Sequence, residues 1–185
     1  MTTKLIKEDK HAIMGIDPGG TTGVAAAYVP SLGTLKESLL AATQKKSVEV
    51  KGPWLEQAIQ LATMMARFQY RANVEHSIQL PNIHFAIEDY VLRLPATNKN
   101  LMPVWVAAAT VALYTRPLST RYEEANEIMA KERQQASDYV TWQQPSQIKR
   151  FASNDRLKLW GLYVTGSEHM RDAWRHVATK ANSIV

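Results

Sequence analysis

Hydrophobic and polar residues near the start of the chain follow the pattern of two adjacent strands. Residues 12–16 are apolar and strand-prone and lead directly into Asp17, and residues 23–29 form a second apolar run. Between the two runs lies a Pro-Gly-Gly sequence at 18–20, which is typical of a tight turn. The pattern therefore predicts two antiparallel strands with an acidic side chain at the end of the first.

The pattern along the rest of the chain predicts a series of further strands and helices. The first of these are a third strand within 39–50 that pairs with the second, a helix from 53 to about 72, and a strand from 83. An apolar helix over 101–115 and a charged helical stretch over 122–135 follow. The chain then continues with a strand at 139–142, two short helices at 147–151 and 156–163, and a last helix after Ser167. Strands and helices thus occur together, which indicates an α/β fold.

The strand that begins at residue 83 ends in two acidic residues, Glu88 and Asp89. Alternation places neighbouring side chains on opposite faces of a strand, so only one of the two can share the surroundings of Asp17. Glu88 continues the alternation and is the one we expect there. A buried carboxylate costs several kcal/mol unless it is compensated, and a metal ion would compensate it. For Asp17, an ordinary role as a turn or cap residue stays open.

The last helix carries His169, Asp172 and His176 at spacings that place them on one face. Ser167 is a suitable N-cap for this helix. A histidine and an aspartate one turn apart can both bind one metal ion. The alternative is a solvated helix start, in which the helix dipole favours Asp172. We interpret His176 as a supporting or core residue.

The two short helices combine basic and aromatic residues, a combination found on nucleic-acid-binding surfaces. The residues concerned are Lys149, Arg150, Arg156 and Lys158, with Phe151 and Trp160 among them. The alternative is a solvated basic face whose aromatic rings lie in the core. The formal net charge of +5 favours a polyanionic partner.

Length and composition limit the class of protein. The 185 residues predict a single domain over 1–185, with a loose leader at 1–10. The absence of cysteine excludes disulfides and thiolate metal sites. We find neither a secretory signal nor an apolar run of membrane-spanning length, so we expect a cytoplasmic protein.

Four short motifs resemble those of a known family. They are GIDPGGTTGVA at 15–25, AIEDY at 86–90, QPSQIKR at 144–150 and EHMRDAWRH at 168–176. In order and spacing, the sequence resembles the RuvC family of Holliday junction resolvases, and most of all the divergent RuvC-like proteins of bacteriophages. The resemblance covers about 12–181 and implies that 116–137 is a helical insertion without a counterpart in the family. It implies an RNase H-like fold, in which helices flank a five-stranded mixed sheet.

The resemblance also implies the site residues. The metal ligands would be Asp17, Glu88, His169 and Asp172, with His169 where most relatives have an acid, and they would hold two divalent ions, Mg²⁺ or Mn²⁺. Lys149 would lie near the scissile phosphate and count with these four as catalytic. As DNA-binding residues the resemblance implies Lys149, Lys158 and Tyr90, and the basic pattern of the two short helices adds Arg150 and Arg156.

The activity implied by the resemblance is metal-dependent hydrolysis of a phosphodiester in four-way or other branched DNA, as occurs in recombination and repair. Symmetric cleavage of a junction needs two active sites, so we expect a homodimer packed through the helix at 101–115. A phage-encoded protein would act in the cytoplasm of the bacterial host. Three alternatives stay open: an actin-like or sugar-kinase-like ATP-binding protein, a catalytically idle DNA-binding relative, and a nuclease acting on flaps, forks or packaging intermediates.

Overall fold

The computed structural model describes residues 9–89, 101–115 and 140–185. Three predictions therefore lie outside the described residues: most of the leader at 1–10, the position of Tyr90, and the insertion at 116–137. The charged helical stretch at 122–135 lies outside them as well.

The described residues form five strands and six helices, together with one 3₁₀ turn at Leu80–Asn82. The strands are β1 (Lys10–Asp17), β2 (Thr21–Pro30), β3 (Thr43–Lys51), β4 (Ile83–Glu88) and β5 (Val140–Gln143). The helices are α1 (Leu35–Ala41), α2 (Trp54–Val74), α3 (Met102–Thr115), α4 (Pro145–Phe151), α5 (Asn154–Leu159) and α6 (Glu168–Ala181).

The five strands form one mixed sheet in the order β3-β2-β1-β4-β5. β1 pairs antiparallel with β2 and parallel with β4, while β3 pairs antiparallel with β2 and β5 parallel with β4. The predicted mixed five-stranded sheet is confirmed. Because β1 and β4 are parallel neighbours, their carboxyl ends lie side by side at one edge of the sheet.

Helices cover both faces of the sheet, because alternate side chains of β1 and β2 are buried on opposite sides. On one face, Met14 and Val24 pack into a core with residues of α2 and α3 such as Leu61 and Val106. On the other face, apolar residues of β1 and β2 pack against α1, α5 and above all α6; they are Ile13, Ala25, Ala27 and Val29.

The region before the third strand differs from the prediction. A helix, α1, occupies Leu35–Ala41, and β3 begins only at Thr43. The helix begins where the Thr34 side chain accepts the Glu37 amide, and the Thr34 hydroxyl donates to the Glu37 carboxylate at 2.9 Å. This contact between an N-cap threonine and a glutamate three residues later is visible in the sequence as Thr-x-x-Glu. The prediction overlooked it because the apolar residues were assigned to a strand.

Helix α6 lies unusually close to the β1–β2 hairpin. A Cβ atom at Gly15 would collide with the carbonyl oxygen of Ala173, and a Cβ atom at Gly23 would collide with that of His169. The two glycines therefore let the helix backbone rest directly on the strands. As a result, the first turns of α6 reach the end of β1.

Candidate metal centre

A buried hydrogen-bond network shapes the turn that follows Asp17. The Gly19 amide donates to the Thr22 hydroxyl at 3.3 Å, and this hydroxyl donates to Gln57 Oε1 at 2.6 Å. Gln57 Nε2 in turn donates to the carbonyl oxygens of Gly20 at 3.1 Å and Gly52 at 2.8 Å. The sequence analysis missed Gln57, whose signal is a polar residue on the buried side of α2. The network holds the turn rigidly against that helix.

Three potential metal-binding side chains meet where β1 and β4 end. Asp17 is the last residue of β1, Glu88 is the last residue of β4, and His176 faces them from α6. One ligand atom from each of the three lies within 4.8 Å of the other two. The side chains are 9%, 16% and 0% exposed, in that order. The arrangement therefore places two carboxyl groups and an imidazole around one small, largely buried space.

Burial and mutual repulsion control the ionisation of this cluster. Burial raises the pKa of Asp17 to about 9, and the hydrogen bond and charge of Glu88 act in the same direction. Burial also acts to raise the pKa of Glu88, but the favourable electrostatic interactions of its carboxylate with His176 and Asp17 outweigh burial and hold that pKa below its usual value. Ionising both of two adjacent carboxyl groups is unfavourable because their charges repel, so in the absence of a cation they share a proton. A divalent cation would remove this conflict.

The imidazole of His176 has one satisfied and one unsatisfied nitrogen. Its Nδ1 lies 2.8 Å from Gln143 Oε1. Its Nε2 is buried, has no hydrogen-bond partner and lies 3.6 Å from Glu88 Oε2. Burial lowers the pKa of His176, so the ring is neutral, which is the form a metal ion requires. An orphaned nitrogen beside two carboxyl groups is a donor set that fits a divalent cation.

The other two predicted ligands of α6 lie next to this cluster with different partners. His169 is 44% exposed, and its Nδ1 lies 2.9 Å from Asp17 Oδ2. Asp172 is buried and has two cationic partners: Lys149 Nζ lies 3.0 Å from its Oδ2, and Arg175 donates to its Oδ1. Among the predicted residues, the structure thus joins Asp17 to His169 and Asp172 to Lys149.

Arg175, which the sequence analysis did not single out, ties α6 to the basic helices. Its Nε donates to the carbonyl oxygen of Ala152 at 3.0 Å, and its Nη2 donates to Asn154 Oδ1 at 2.7 Å. The segment between α4 and α5 is therefore anchored to the same helix that carries His176. The signal was present as a basic residue within the buried face of α6.

The basic and aromatic residues of α4 and α5 separate into exposed and buried groups. Lys149, Arg150, Arg156 and Lys158 are exposed. Trp160 is buried, and Phe151 packs against the same core with its ring 5.6 Å from that of Trp160. The aromatic rings therefore serve the core, and the surface beside the carboxylates is basic.

Comparison of the folded chain with known proteins identifies its fold. A search with the sequence matches no protein-family model and no curated protein. Among solved structures, the chain is similar to the RuvC structure from Thermus thermophilus, with 15% sequence identity and a TM-score of 0.50. The similarity covers 92% of this chain and 93% of that one. The fold is thus RuvC-like and RNase H-like, as predicted, while the bacteriophage type stays a prediction. In the part of the chain that the structure describes, no helix is long and apolar enough to cross a membrane.

Proposed function

We propose that this chain is a metal-dependent endonuclease that cleaves branched DNA, with the four-way junction as its substrate. One observation carries the proposal: Asp17, Glu88 and an orphaned histidine nitrogen meet at the ends of two central strands, beside an exposed basic surface. Carboxylates hold the ions that hydrolyse phosphodiesters, and lysines and arginines hold the DNA backbone. The RuvC-like fold is consistent with this chemistry.

Asp17 and Glu88 would be the central metal ligands, with His169 and Asp172 completing the set from α6. When bound, two divalent ions, Mg²⁺ or Mn²⁺, would activate the attacking water and neutralise charge on the phosphate. Asp17 lies between Glu88 and His169, so it would hold the metal together with both of them. For Asp172 to bind an ion, one of its oxygens must give up its contact with Lys149 or Arg175.

Lys149 would stabilise the phosphate during cleavage. Its ammonium group lies 3.0 Å from Asp172 Oδ2 while its side chain is half-exposed, so it is both close to the centre and open to a ligand. A cation held in this way stabilises the negative charge that develops on the phosphate. Arg150, Arg156 and Lys158, on the same two helices, would hold the DNA backbone further from the cut.

We further propose that the protein acts as a homodimer packed through α3. Val106, Thr110 and other residues of this helix pack against the core, but Trp105 is half-exposed. On the neighbouring helix α2, Leu55 and Ile59 are half-exposed too. Together they offer an apolar surface that a second subunit could bury. Light scattering should report twice the chain mass, and a monomer at all working concentrations would contradict this part of the proposal.

The decisive experiment compares cleavage of four-way, forked, flap and linear duplex DNA, each with Mg²⁺ and with Mn²⁺. We expect paired cuts in the four-way junction and little cleavage of linear duplex, and Asp17→Asn should lower cleavage of the junction by about 10³-fold. Preference for flaps or forks would change the substrate but not the chemistry. Absence of metal-dependent cleavage together with tight ATP binding would overturn the proposal in favour of an ATP-binding protein.

A further inference from the structure

We infer that His176 is an additional metal ligand through Nε2, that Gln143 orients it, and that this nitrogen makes the centre bind Mn²⁺ in preference to Mg²⁺. The inference rests on the proposed metal-dependent function and adds a ligand pair to it. Neither residue belongs to the ligand set implied by the sequence motifs.

The first argument is the tautomer of His176. Its Nδ1 lies 2.8 Å from Gln143 Oε1, and an amide oxygen can only accept a hydrogen bond. The ring proton therefore belongs to Nδ1, and the lone pair belongs to Nε2. In metal sites, a hydrogen bond of this kind to the outer nitrogen fixes the ring and makes the inner nitrogen a better ligand.

The second argument is the position of Gln143 in the sheet. Gln143 pairs with Glu88 in the parallel register of β4 and β5. A backbone hydrogen bond also joins the two strands at this point, because the Asp89 amide donates to the Gln143 carbonyl oxygen at 2.8 Å. The residue that orients His176 is thus a direct neighbour of a carboxyl group in the cluster, at the end of an edge strand of the sheet.

The third argument is the unsatisfied nitrogen itself. His176 is completely buried, and its Nε2 has no hydrogen-bond partner. Leaving a buried polar atom unpaired costs about 1–3 kcal/mol, so this position needs a compensating contact. Nε2 lies 3.6 Å from Glu88 Oε2. With bonds of about 2.1 Å, octahedral ligands lie roughly 3.0 to 4.2 Å apart. A single ion can therefore join the two atoms with little movement.

The other buried histidines show that this geometry is not a general feature of the core. His11 Nδ1 lies 3.2 Å from His84 Nε2, and His11 Nε2 lies 3.2 Å from the Ser31 hydroxyl. In that pair, each ring gives the other a polar partner, whereas His176 directs its unpaired nitrogen toward two carboxyl groups. Imidazole is a better ligand for Mn²⁺ than for Mg²⁺, which prefers oxygen. A nitrogen ligand should therefore shift the preference of the centre toward Mn²⁺.

The test combines pulsed EPR with titration calorimetry on the full chain at one fixed pH. In the protein with ¹⁵N-labelled histidine and bound Mn²⁺, we expect histidine nitrogen coupling that persists in His169→Ala and weakens in His176→Gln. Calorimetry should show Mn²⁺ binding weakened about tenfold by His176→Gln and by Gln143→Leu, with a smaller change for Mg²⁺. Gln143→Glu should restore binding, because a carboxylate also accepts from Nδ1.

His84→Gln is the matched control, because it removes a buried imidazole from the opposite end of the sheet and should leave Mn²⁺ binding unchanged. Complete loss of nitrogen coupling in His169→Ala would overturn the inference, and this result does not require a folded His176 variant. Unchanged Mn²⁺ affinity in a folded Gln143→Leu would overturn it as well. Failure of the proposed function looks different, since the unaltered protein would then bind neither ion or Asp17→Asn would bind both normally.

Discussion

The two central parallel strands, β1 and β4, carry pairs of ionisable residues at both ends, and the two pairs are built in opposite ways. Where the strands begin, His11 and His84 contact each other and Ser31. Where they end, Asp17 and Glu88 face each other. Both pairs are largely buried, so burial alone does not distinguish them.

The two pairs differ in whether their residues satisfy each other's polar atoms. Burial lowers the pKa of His11 and lowers that of His84 to about 3, so both rings are neutral at pH 7 and can share one hydrogen bond. At the other end, burial raises the pKa of Asp17, and a buried nitrogen beside the acids has no partner. The two histidines contact each other within the protein, whereas the acidic end leaves a buried nitrogen unpaired. A carboxyl group with a raised pKa beside an unpaired nitrogen, more than burial alone, marks the candidate site.

The largest expected effect comes from breaking the acidic end. Asp17→Asn should lower DNA cleavage by about 10³-fold, since loss of a metal ligand removes roughly 4 kcal/mol of transition-state stabilisation. Thermal stability without metal should stay equal or rise, because one of two repelling carboxyl groups is removed. Cleavage rates and melting curves check both. Asp155→Asn is the control, as this exposed acid lies in the neighbouring helix α5. Equal rates for the two variants would contradict the site.

Breaking the histidine end should instead change stability without changing the chemistry. His84 has a folded pKa near 3 and an unfolded value near 6.5, so the unfolded chain binds the extra proton first. The contribution of His84 to the free energy of unfolding is fully present above pH 6.5. It is lost at about 1.4 kcal/mol per pH unit as the pH falls toward 3. His84→Gln should flatten this part of the curve of unfolding free energy against pH.

Denaturant unfolding between pH 4.5 and 7.5 measures that slope. His76→Gln, at an exposed histidine, controls for removal of an imidazole. If His84→Gln retains the slope of the unaltered protein, the neutral histidine pair is not its source.

A change in helix position should affect the acidic end alone. Gly23→Ala would push α6 away from the hairpin, because the new methyl group meets the His169 carbonyl oxygen. We expect a loss of about 1–3 kcal/mol in stability and weaker Mn²⁺ binding. In Gly20→Ala, the methyl group meets nothing within 4 Å, so this variant should behave like the unaltered protein. Calorimetry that finds both variants equally able to bind Mn²⁺ would refute the dependence on helix position.

The smallest effect concerns the basic surface next to the acidic end. Lys149→Ala and Arg150→Ala should each weaken binding to a four-way junction by a few-fold to about tenfold. Each should lower the slope of log affinity against log salt by about 0.9 if one phosphate contact is lost. Fluorescence anisotropy at several salt concentrations measures this. Arg67→Ala, on the opposite face of the sheet, is the control. If the slope of log affinity against log salt falls equally in Arg67→Ala, α4 is not part of the DNA-binding surface.

The sequence alone determined which elements form and which residues end the central strands. Alternating apolar residues and a Pro-Gly-Gly turn are local signals, and they correctly placed Asp17 and Glu88 at strand ends. The five-stranded mixed sheet was expected from the family resemblance and is confirmed, and within it β1 and β4 pair in parallel. Helix α1, which the prediction missed, also has a local sequence signal, since Thr34 and Glu37 contact each other at its start.

The tertiary structure decided which partners the residues of α6 meet. From the sequence, His169, Asp172 and His176 share one helix face, but that face contacts several elements. His169 meets Asp17, Asp172 meets Lys149, and His176 lies beside Glu88. These pairings depend on how closely the helix rests on two glycines and on the register of β4 with β5. Both are contacts between segments distant in the chain, and no local pattern can specify them.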